Sequence, residues 1–245
     1  MVRLVILSGP SGIGKSPLLK ALQRFQPELA ARLRPLVLYN DRAPRPGEQD
    51  GVAYHFRPRE FIEGLGAAPG HLVMPVRRDL QALEIAQVTA LLEEGLDPFF
   101  EGNPYIATAL MQAPELAAAP KVSCFLSPVG RDEVEYLQQQ PRADVRRTVT
   151  EVMRRKLLRR TQKQKGILSG PDLADIEARC GAAHDELAYA AAFDWVLPNH
   201  DGEDSENWDA FYYPLGDARK CLLDFAAVLE GQPPQWAEQW PEGAV

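Results

Sequence analysis

Gly9-Pro10-Ser11-Gly12-Ile13-Gly14-Lys15-Ser16 fits the pattern G-x-x-x-x-G-K-[ST]. The apolar run Leu4-Val5-Ile6-Leu7 stands directly before it, and Leu18, Leu19, Leu22 and Phe25 follow at helical spacing. The order is therefore strand (about Arg3–Leu7), glycine loop, helix (about Lys15–Phe25). Backbone N–H groups can wrap a polyphosphate only if the loop comes close to it. A side chain at Gly9 or Gly14 would hold the backbone away or demand a strained φ. Gly9, Ser11, Gly12, Ile13 and Gly14 are the expected cradle. Lys15 would bring a positive charge to the β- and γ-phosphates, Ser16 a hydroxyl for Mg²⁺, and the helix N-terminus its dipole. Pro17 is tolerated in a first helical turn. A glycine-rich turn with a surface lysine is the bland alternative, and the flanking strand and helix argue against it. The stretch implies a nucleoside triphosphate ligand with Mg²⁺.

At 245 residues the chain is long enough for one large α/β domain, or a core with a small mobile insert, and 45% hydrophobic residues suffice for a sizeable core. A net charge of −7 argues against a general nucleic-acid binder. Cys124, Cys180 and Cys221 lie far apart and form no C-x-x-C, as expected of reduced thiols in a cytosolic protein without a resident metal site. The N-terminus runs straight into a strand and no apolar run approaches a membrane span, so neither a signal peptide nor a transmembrane helix is expected. The expected setting is the cytoplasm.

Further along, Leu36-Val37-Leu38-Tyr39 reads as a second strand. It leads into the loop Asn40-Asp41-Arg42-Ala43-Pro44-Arg45-Pro46-Gly47-Glu48, where prolines and a glycine fix Arg42 and Arg45 three residues apart. Asp50-Gly51 is a turn signal before Val52–Phe56, a short strand of mixed polarity. Guanidinium forks and a tyrosine hydroxyl suit a phosphate monoester, so Arg42, Arg45 and Tyr54 form a candidate second phosphate site.

Phosphate loop, then Arg-x-x-Arg-Pro-Gly-Glu-x-Asp-Gly-x-x-Tyr-x-Phe, then Arg59-Glu60-Phe61, resembles a guanylate kinase. The resemblance implies a P-loop three-layer α/β/α fold with a central parallel sheet, a small acceptor-binding subdomain and a helical lid. It gives Arg42, Arg45 and Tyr54 the phosphate of an acceptor nucleotide. Ala90–Glu101 resembles the family's helix, glycine turn and buried strand ending in an acid. Glu101 could steer Mg²⁺ through water, contact the acceptor, or simply cap the strand end. Lys121–Leu126 reads as the next buried strand. Arg142–Lys165 carries ten basic residues opposed only by Asp144 and Glu151, and Val145, Val149 and Val152 keep helical spacing, so a basic helix with one apolar stripe is expected. The family sends arginines from this lid, and one from the helix after it, across the triphosphate. Arg179 matches the second kind. For the first, Arg155, Lys156, Arg159 and Arg160 compete, and Arg160 is taken as the working choice. Fixed cations from a closing lid would stabilise the charge on the transferred phosphoryl group and exclude water. A solvated charge run or an RNA-touching patch is the alternative for the segment. Phe193–Asn199 resembles the last strand, with Asn199 near the adenine of ATP. His184 reads as structural. Gly202–Tyr213 is an acidic, aromatic insertion before a final helix (about Asp217–Leu229).

The guanine-reading part of the pattern is missing. Leu38 stands near the family's serine, His71-Leu72-Val73-Met74 offers a valine where a glutamate is expected, and Arg78-Asp79-Leu80-Gln81-Ala82 replaces Gly-Asn-Tyr-Tyr-Gly. Asp79, Gln81, Glu84 and Arg78 are candidate substitutes. The expected layout is one domain: a core at about 1–38, 86–130 and 172–230, an acceptor subdomain at about 39–85, a basic lid at about 131–171 and a tail at about 231–245, packing on the body or on a second copy in a homodimer. The leading expectation is ATP-dependent transfer of the γ-phosphoryl group to a nucleoside monophosphate, GMP- or dGMP-like or modified. A sugar phosphate acceptor, or a non-catalytic binding module, is the alternative.

Overall fold

The computed structural model describes residues 2–45 and 47–245; Met1 and Pro46, the latter part of the arginine loop read above, lie outside them. The first half of the chain runs β1 (Leu4–Ser8), α1 (Lys15–Phe25), α2 (Pro27–Arg32), β2 (Leu33–Pro35), β3 (Tyr39–Asn40), β4 (His55–Phe56), α3 (Arg59–Leu65), β5 (His71–Val76) and β6 (Asp79–Glu84). It continues as α4 (Ile85–Glu93), β7 (Asp97–Gly102), α5 (Pro104–Gln112), β8 (Lys121–Ser127), α6 (Arg131–Gln139), α7 (Val145–Lys165), α8 (Gly170–Leu187), β9 (Trp195–Pro198) and α9 (Gly216–Glu230). The strands form one sheet in the order β2-β7-β1-β8-β9 and a second in the order β4-β3-β6-β5. Pairs β2/β7 and β8/β9 are parallel. The chain thus has the expected α/β class, with a central parallel sheet flanked by helices. All of β1 is buried, as an unbroken apolar run in a parallel sheet covered on both faces should be.

Two compact units divide the chain, the boundary passing through β1: residues up to Ile6 with Leu33–Val122, and Leu7–Arg32 with Ser123–Val245. In the first unit the expected strand at Leu36–Tyr39 is displaced. The chain leaves β7 after Leu36, whose N–H donates to the Phe99 carbonyl at 2.9 Å, and joins β6 only at Tyr39. Between them the Gln87 side chain takes the place of a neighbouring strand, accepting from Val37 N–H (3.2 Å) and donating to its carbonyl (3.1 Å). Likewise, Val52–Phe56 pairs as a strand only at His55–Phe56, because Gly51, with φ 77°, turns the chain there. Hairpin β5/β6 packs Leu80 and Ala82 on Ile62 of α3, with Tyr39, Leu65 and Val73 around them.

In the second unit α7 is the expected basic helix, capped by Asp144, whose carboxylate accepts from Arg147 N–H (3.0 Å). Its buried stripe is not Val145, Val149 and Val152 but Val149, Met153, Lys156 and Leu157. Both sets keep helical spacing; the buried one starts a turn later, at i, i+4, i+7 and i+8 from Val149. Arg154 grips Glu177 of α8 with two hydrogen bonds of 2.8 and 2.9 Å. The C-terminal tail packs on the same unit. Glu238 and Val196 of β9 exchange two backbone hydrogen bonds of 2.8 Å, Asp224 accepts from the Gln235 and Trp236 N–H groups, and Trp240 is buried. The tail so covers one edge of β9. Among the described residues no helix is long and apolar enough to cross a membrane.

Candidate active site

The glycine loop bridges β1 and α1 at close quarters. Gly9 has φ 135°, and a Cβ there would lie 2.4 Å from the Leu126 carbonyl oxygen. Gly12 has φ 82°, and its Cβ would meet Leu157 Cδ2 of α7 at 2.7 Å. A Cβ on Gly14 would sit 2.6 Å from Asn199 Nδ2. Ile13 is fully buried, anchoring the loop by its side chain. Lys15 folds back over the loop, its Nζ donating to the carbonyls of Gly9 (2.8 Å) and Pro10 (3.0 Å). Ser16 is exposed in the first turn of α1, and Ser11 and Pro17 are half-buried.

Several elements of the second unit converge on this loop. Arg179 of α8, mostly buried, reaches Ser11 Oγ at 3.4 Å and is braced by Asp175 at 2.7 Å. Of the four competing lid cations, Arg155 turns back to the Glu151 carbonyl of its own helix, and Arg159 is exposed, 3.9 Å from Asp204. Lys156 is buried, donating to the His200 carbonyl. Burial holds its pKa below the ordinary lysine value, although Asp204 and Asp201 oppose the shift. Arg160 pairs with Glu203 at 3.0 Å, and the Glu203 N–H donates to the Gly12 carbonyl at 2.9 Å. Asn199 is fully buried: its Nδ2 donates to the Ile13 carbonyl (2.6 Å), and its Oδ1 has no partner among the described residues.

Sequence reasoning missed Glu203 and Trp208 in this neighbourhood. The insertion at 202–213 read only as acidic and aromatic, yet it supplies the Gly12 hydrogen bond, and Trp208, held by the Gly202 carbonyl at 2.6 Å, lies against Gly14. No local signal marks either residue. A cavity of about 660 Å³ opens beside Lys156 and His200, lined also by Pro128, Val129, Tyr136 and Thr148.

Arg42, Arg45, Tyr54 and Glu101 lie in the first unit. Glu48 grips both terminal nitrogens of Arg42, at 2.7 and 2.6 Å, and accepts the Arg45 N–H at 2.7 Å. The guanidinium stacks over the rings of Tyr54 (5.2 Å) and Phe56 (5.4 Å), with Asp79 3.9 Å from Nε. Burial opposes the charge on Arg42, but the hydrogen bond to Glu48 and the charges of Glu48, Tyr54 and Asp79 together outweigh it and the pKa is raised. The Glu48 carboxyl shifts down: burial opposes, and the hydrogen bonds from Arg42 and the Arg45 N–H, with the charges of both arginines, together prevail. Burial raises the Tyr54 pKa, helped by the charges of Glu101 and Glu48, so its phenol remains a donor. The Arg45 and Glu101 side chains are exposed. Among the described residues no cluster of three His, Cys, Asp or Glu side chains could hold a metal ion.

Residues 1–65, which contain both the glycine loop and the Arg42/Arg45/Tyr54 set, match the family described as Guanylate kinase. A guanylate kinase of Cereibacter sphaeroides is 32% identical over 238 residues, spanning 94% of this chain and 95% of that protein. The chain belongs to the guanylate kinase family. A second guanylate kinase, from Thiobacillus denitrificans, is 32% identical over 81% of this chain and 78% of its own length. The crystal structure of guanylate kinase from Anaplasma phagocytophilum shares the fold, with a TM-score of 0.51 at 18% identity over 82% of this chain and 78% of that one. Family membership makes the protein a phosphotransferase of the nucleoside monophosphate kinase kind. The replaced segment at 71–84 and the long helix α7 both lie outside the 1–65 match.

Proposed function

We propose that the protein transfers the γ-phosphoryl group of ATP to a purine nucleoside monophosphate of the GMP kind. The observation that carries this reading is the glycine loop, which at Gly9 comes so close to the Leu126 backbone that only glycine fits, with Lys15 Nζ lying over its carbonyls. A phosphate chain entering the loop exchanges the two carbonyl partners of Lys15 for β- and γ-oxygens. Gly9, Ser11, Gly12, Ile13 and Gly14 offer N–H groups to it, Pro17 closes the first turn without a donor, and Asn199 holds the loop on the adenine side. Arg160 and Arg179 are the cations proposed to meet the transferred group.

In this reading Arg42, Arg45 and Tyr54 hold the acceptor phosphate. Glu48 fills the terminal nitrogens of Arg42, so a phosphate would meet the remaining N–H groups and the Tyr54 hydroxyl. Mg²⁺ suits the donor set, since hard oxygen ligands are present and the exposed Ser16 hydroxyl stands in the first turn of α1. When bound, the ion neutralises charge on the β- and γ-phosphates. Glu101, as an exposed carboxylate near Tyr54, is proposed to face the acceptor or the ion's water shell. In-line transfer between two held phosphates depends on positioning and positive charge more than on a strong base.

The test is ADP formation with ATP and a panel of nucleoside monophosphates. Acceptor-dependent turnover is expected, and Lys15→Ala should lower it by about a hundredfold or more. No turnover with any acceptor sinks the proposal.

A further inference from the structure

Three side-chain amides lie in the same first unit as the residues proposed to hold the acceptor phosphate, and hydrogen bonds fix the orientation of each. Asn103 caps α5, its Oδ1 accepting from Ile106 N–H at 3.0 Å. Its Nδ2 therefore donates to Gln81 Oε1, at 3.1 Å. That in turn leaves the Nε2 end of Gln81 as a donor. Asn40 is oriented in the same way, because its Oδ1 accepts from Arg42 N–H at 3.1 Å. Its Nδ2 is buried and has no partner among the described residues.

Asn40 and Gln81 are directly opposite each other across the antiparallel pair β3/β6, so their side chains leave the same face. Both are buried, Asn40 at 0% and Gln81 at 6% exposed. Of the four residues the sequence offered as base readers, Arg78 is exposed and Asp79 lies near the Arg42 guanidinium. Glu84 is half-buried, which leaves Gln81 as the buried one. A buried amide donor without a partner is costly, and a ligand that supplies an acceptor removes the cost. Asn40 Nδ2 is such a donor, and with the Nε2 donor of Gln81 on the same face it selects an edge built from two acceptors. A 6-oxopurine presents O6 and N7 side by side as acceptors, whereas adenine puts an N6 donor beside N7.

We infer that Asn40 and Gln81 read the acceptor base as a 6-oxopurine through its O6/N7 edge, leaving the 2-amino position of guanine unread. The inference rests on the phosphotransfer reading above. A carboxylate suits guanine's adjacent N1–H and 2-amino donors; none belongs to this amide set, and Glu101, whose charge acts on Tyr54, goes with the acceptor's phosphate end. The protein therefore treats GMP and IMP alike and rejects AMP.

The experiment measures kcat/KM of the full-length protein with ATP and Mg²⁺ for GMP, IMP and AMP. GMP and IMP should agree within about threefold, and AMP should fall about a hundredfold or more below them. Gln81→Glu keeps an oxygen for Asn103 but turns the free end from donor to acceptor. It should raise the AMP to IMP ratio by about tenfold or more, with the Tm and the KM for ATP unchanged. IMP used more than about thirtyfold less well than GMP, or AMP used as well as IMP, overturns the inference. So does a Gln81→Glu variant that loses all three activities in equal proportion, which is the signature of a merely structural glutamine. Turnover with none of the three overturns the phosphotransfer reading itself, and this inference with it.

Discussion

Arg160 and Glu203 form an ion pair at 3.0 Å, with side chains 23% and 17% exposed, and the Glu203 N–H is hydrogen-bonded to the Gly12 carbonyl. A cation of α7 is thereby tied to the phosphate loop through one intermediate residue. The Arg160 Nε is buried without a partner among the described residues, so a phosphate oxygen arriving there gains a donor that nothing else uses. Replacing Arg160 by Ala should lower kcat about tenfold to a hundredfold while leaving the acceptor KM within about threefold. Glu203→Ala should act chiefly on the KM for ATP. Steady-state kinetics on both variants would check this, and unchanged kcat in Arg160→Ala would remove the arginine from the chemistry.

The close approaches in the glycine loop are not equivalent. A methyl group on Gly9 meets a backbone oxygen of β8, which cannot yield, so Gly9→Ala should cost about 3 kcal/mol or more. A methyl group on Gly12 meets the far end of Leu157, which can rotate, and the cost should be about 1–2 kcal/mol, including the strain at its positive φ. Adding Leu157→Ala should relieve the clash, so the two changes together should cost less than their separate sum. Urea unfolding of the variants gives the order directly, and equal losses for Gly9→Ala and Gly12→Ala would contradict it.

Arg42 is held by a fork to Glu48 and by the faces of Tyr54 and Phe56, and a lysine can reproduce neither. Arg42→Lys should therefore lower kcat/KM for the acceptor by about a hundredfold and leave the KM for ATP nearly unchanged. An equal loss against both substrates would show that the arginine supports the structure and does not hold the acceptor. Its partner Glu48 has a depressed pKa, so the stability it contributes is present above the ordinary carboxylate range and is lost as the pH falls through the depressed value.

His200 lies between Asp217 (2.5 Å, at Nδ1) and Glu133 (2.7 Å, at Nε2). Burial alone would lower its pKa, but the hydrogen bonds to Glu133 and Asp217 outweigh burial and the pKa is raised. A raised value means that the stabilisation is complete below the ordinary imidazole range and disappears as the pH rises through the folded-state value. Unfolding free energy should decline as the pH rises above the ordinary imidazole value in the wild type, and His200→Gln should flatten that decline. A slope unchanged in the variant would assign it to other groups.

Where the chemistry depends on neighbours in sequence, the sequence was a sufficient guide. Strand, loop and helix from Leu4 to Phe25 follow from an apolar run, closely spaced glycines and a 3.6-residue period, and α1 begins and ends where that period predicts. Leu36–Leu38 shows the limit. Its residues have strand propensity, but Gln87 of α4 satisfies the backbone of Val37 instead of a second strand. The stripe of α7 shifted for a related reason: Lys156 reads as a surface charge until the His200 carbonyl and two aspartates are found around it.

The sequence by itself determined the first strand, the glycine loop, the helix after it and the α/β class. These rest on local backbone geometry and on the burial of continuous apolar segments, both of which are written in consecutive residues. Only the tertiary structure decided that Glu203 joins Arg160 to Gly12, that the tail covers β9, and that Asn40, Gln81 and Asn103 form one oriented set of amides. Each of these joins residues from separate elements, and a hydrogen bond has direction as well as reach. Which end of an amide is left to donate is settled by the backbone N–H that the fold brings to its other end.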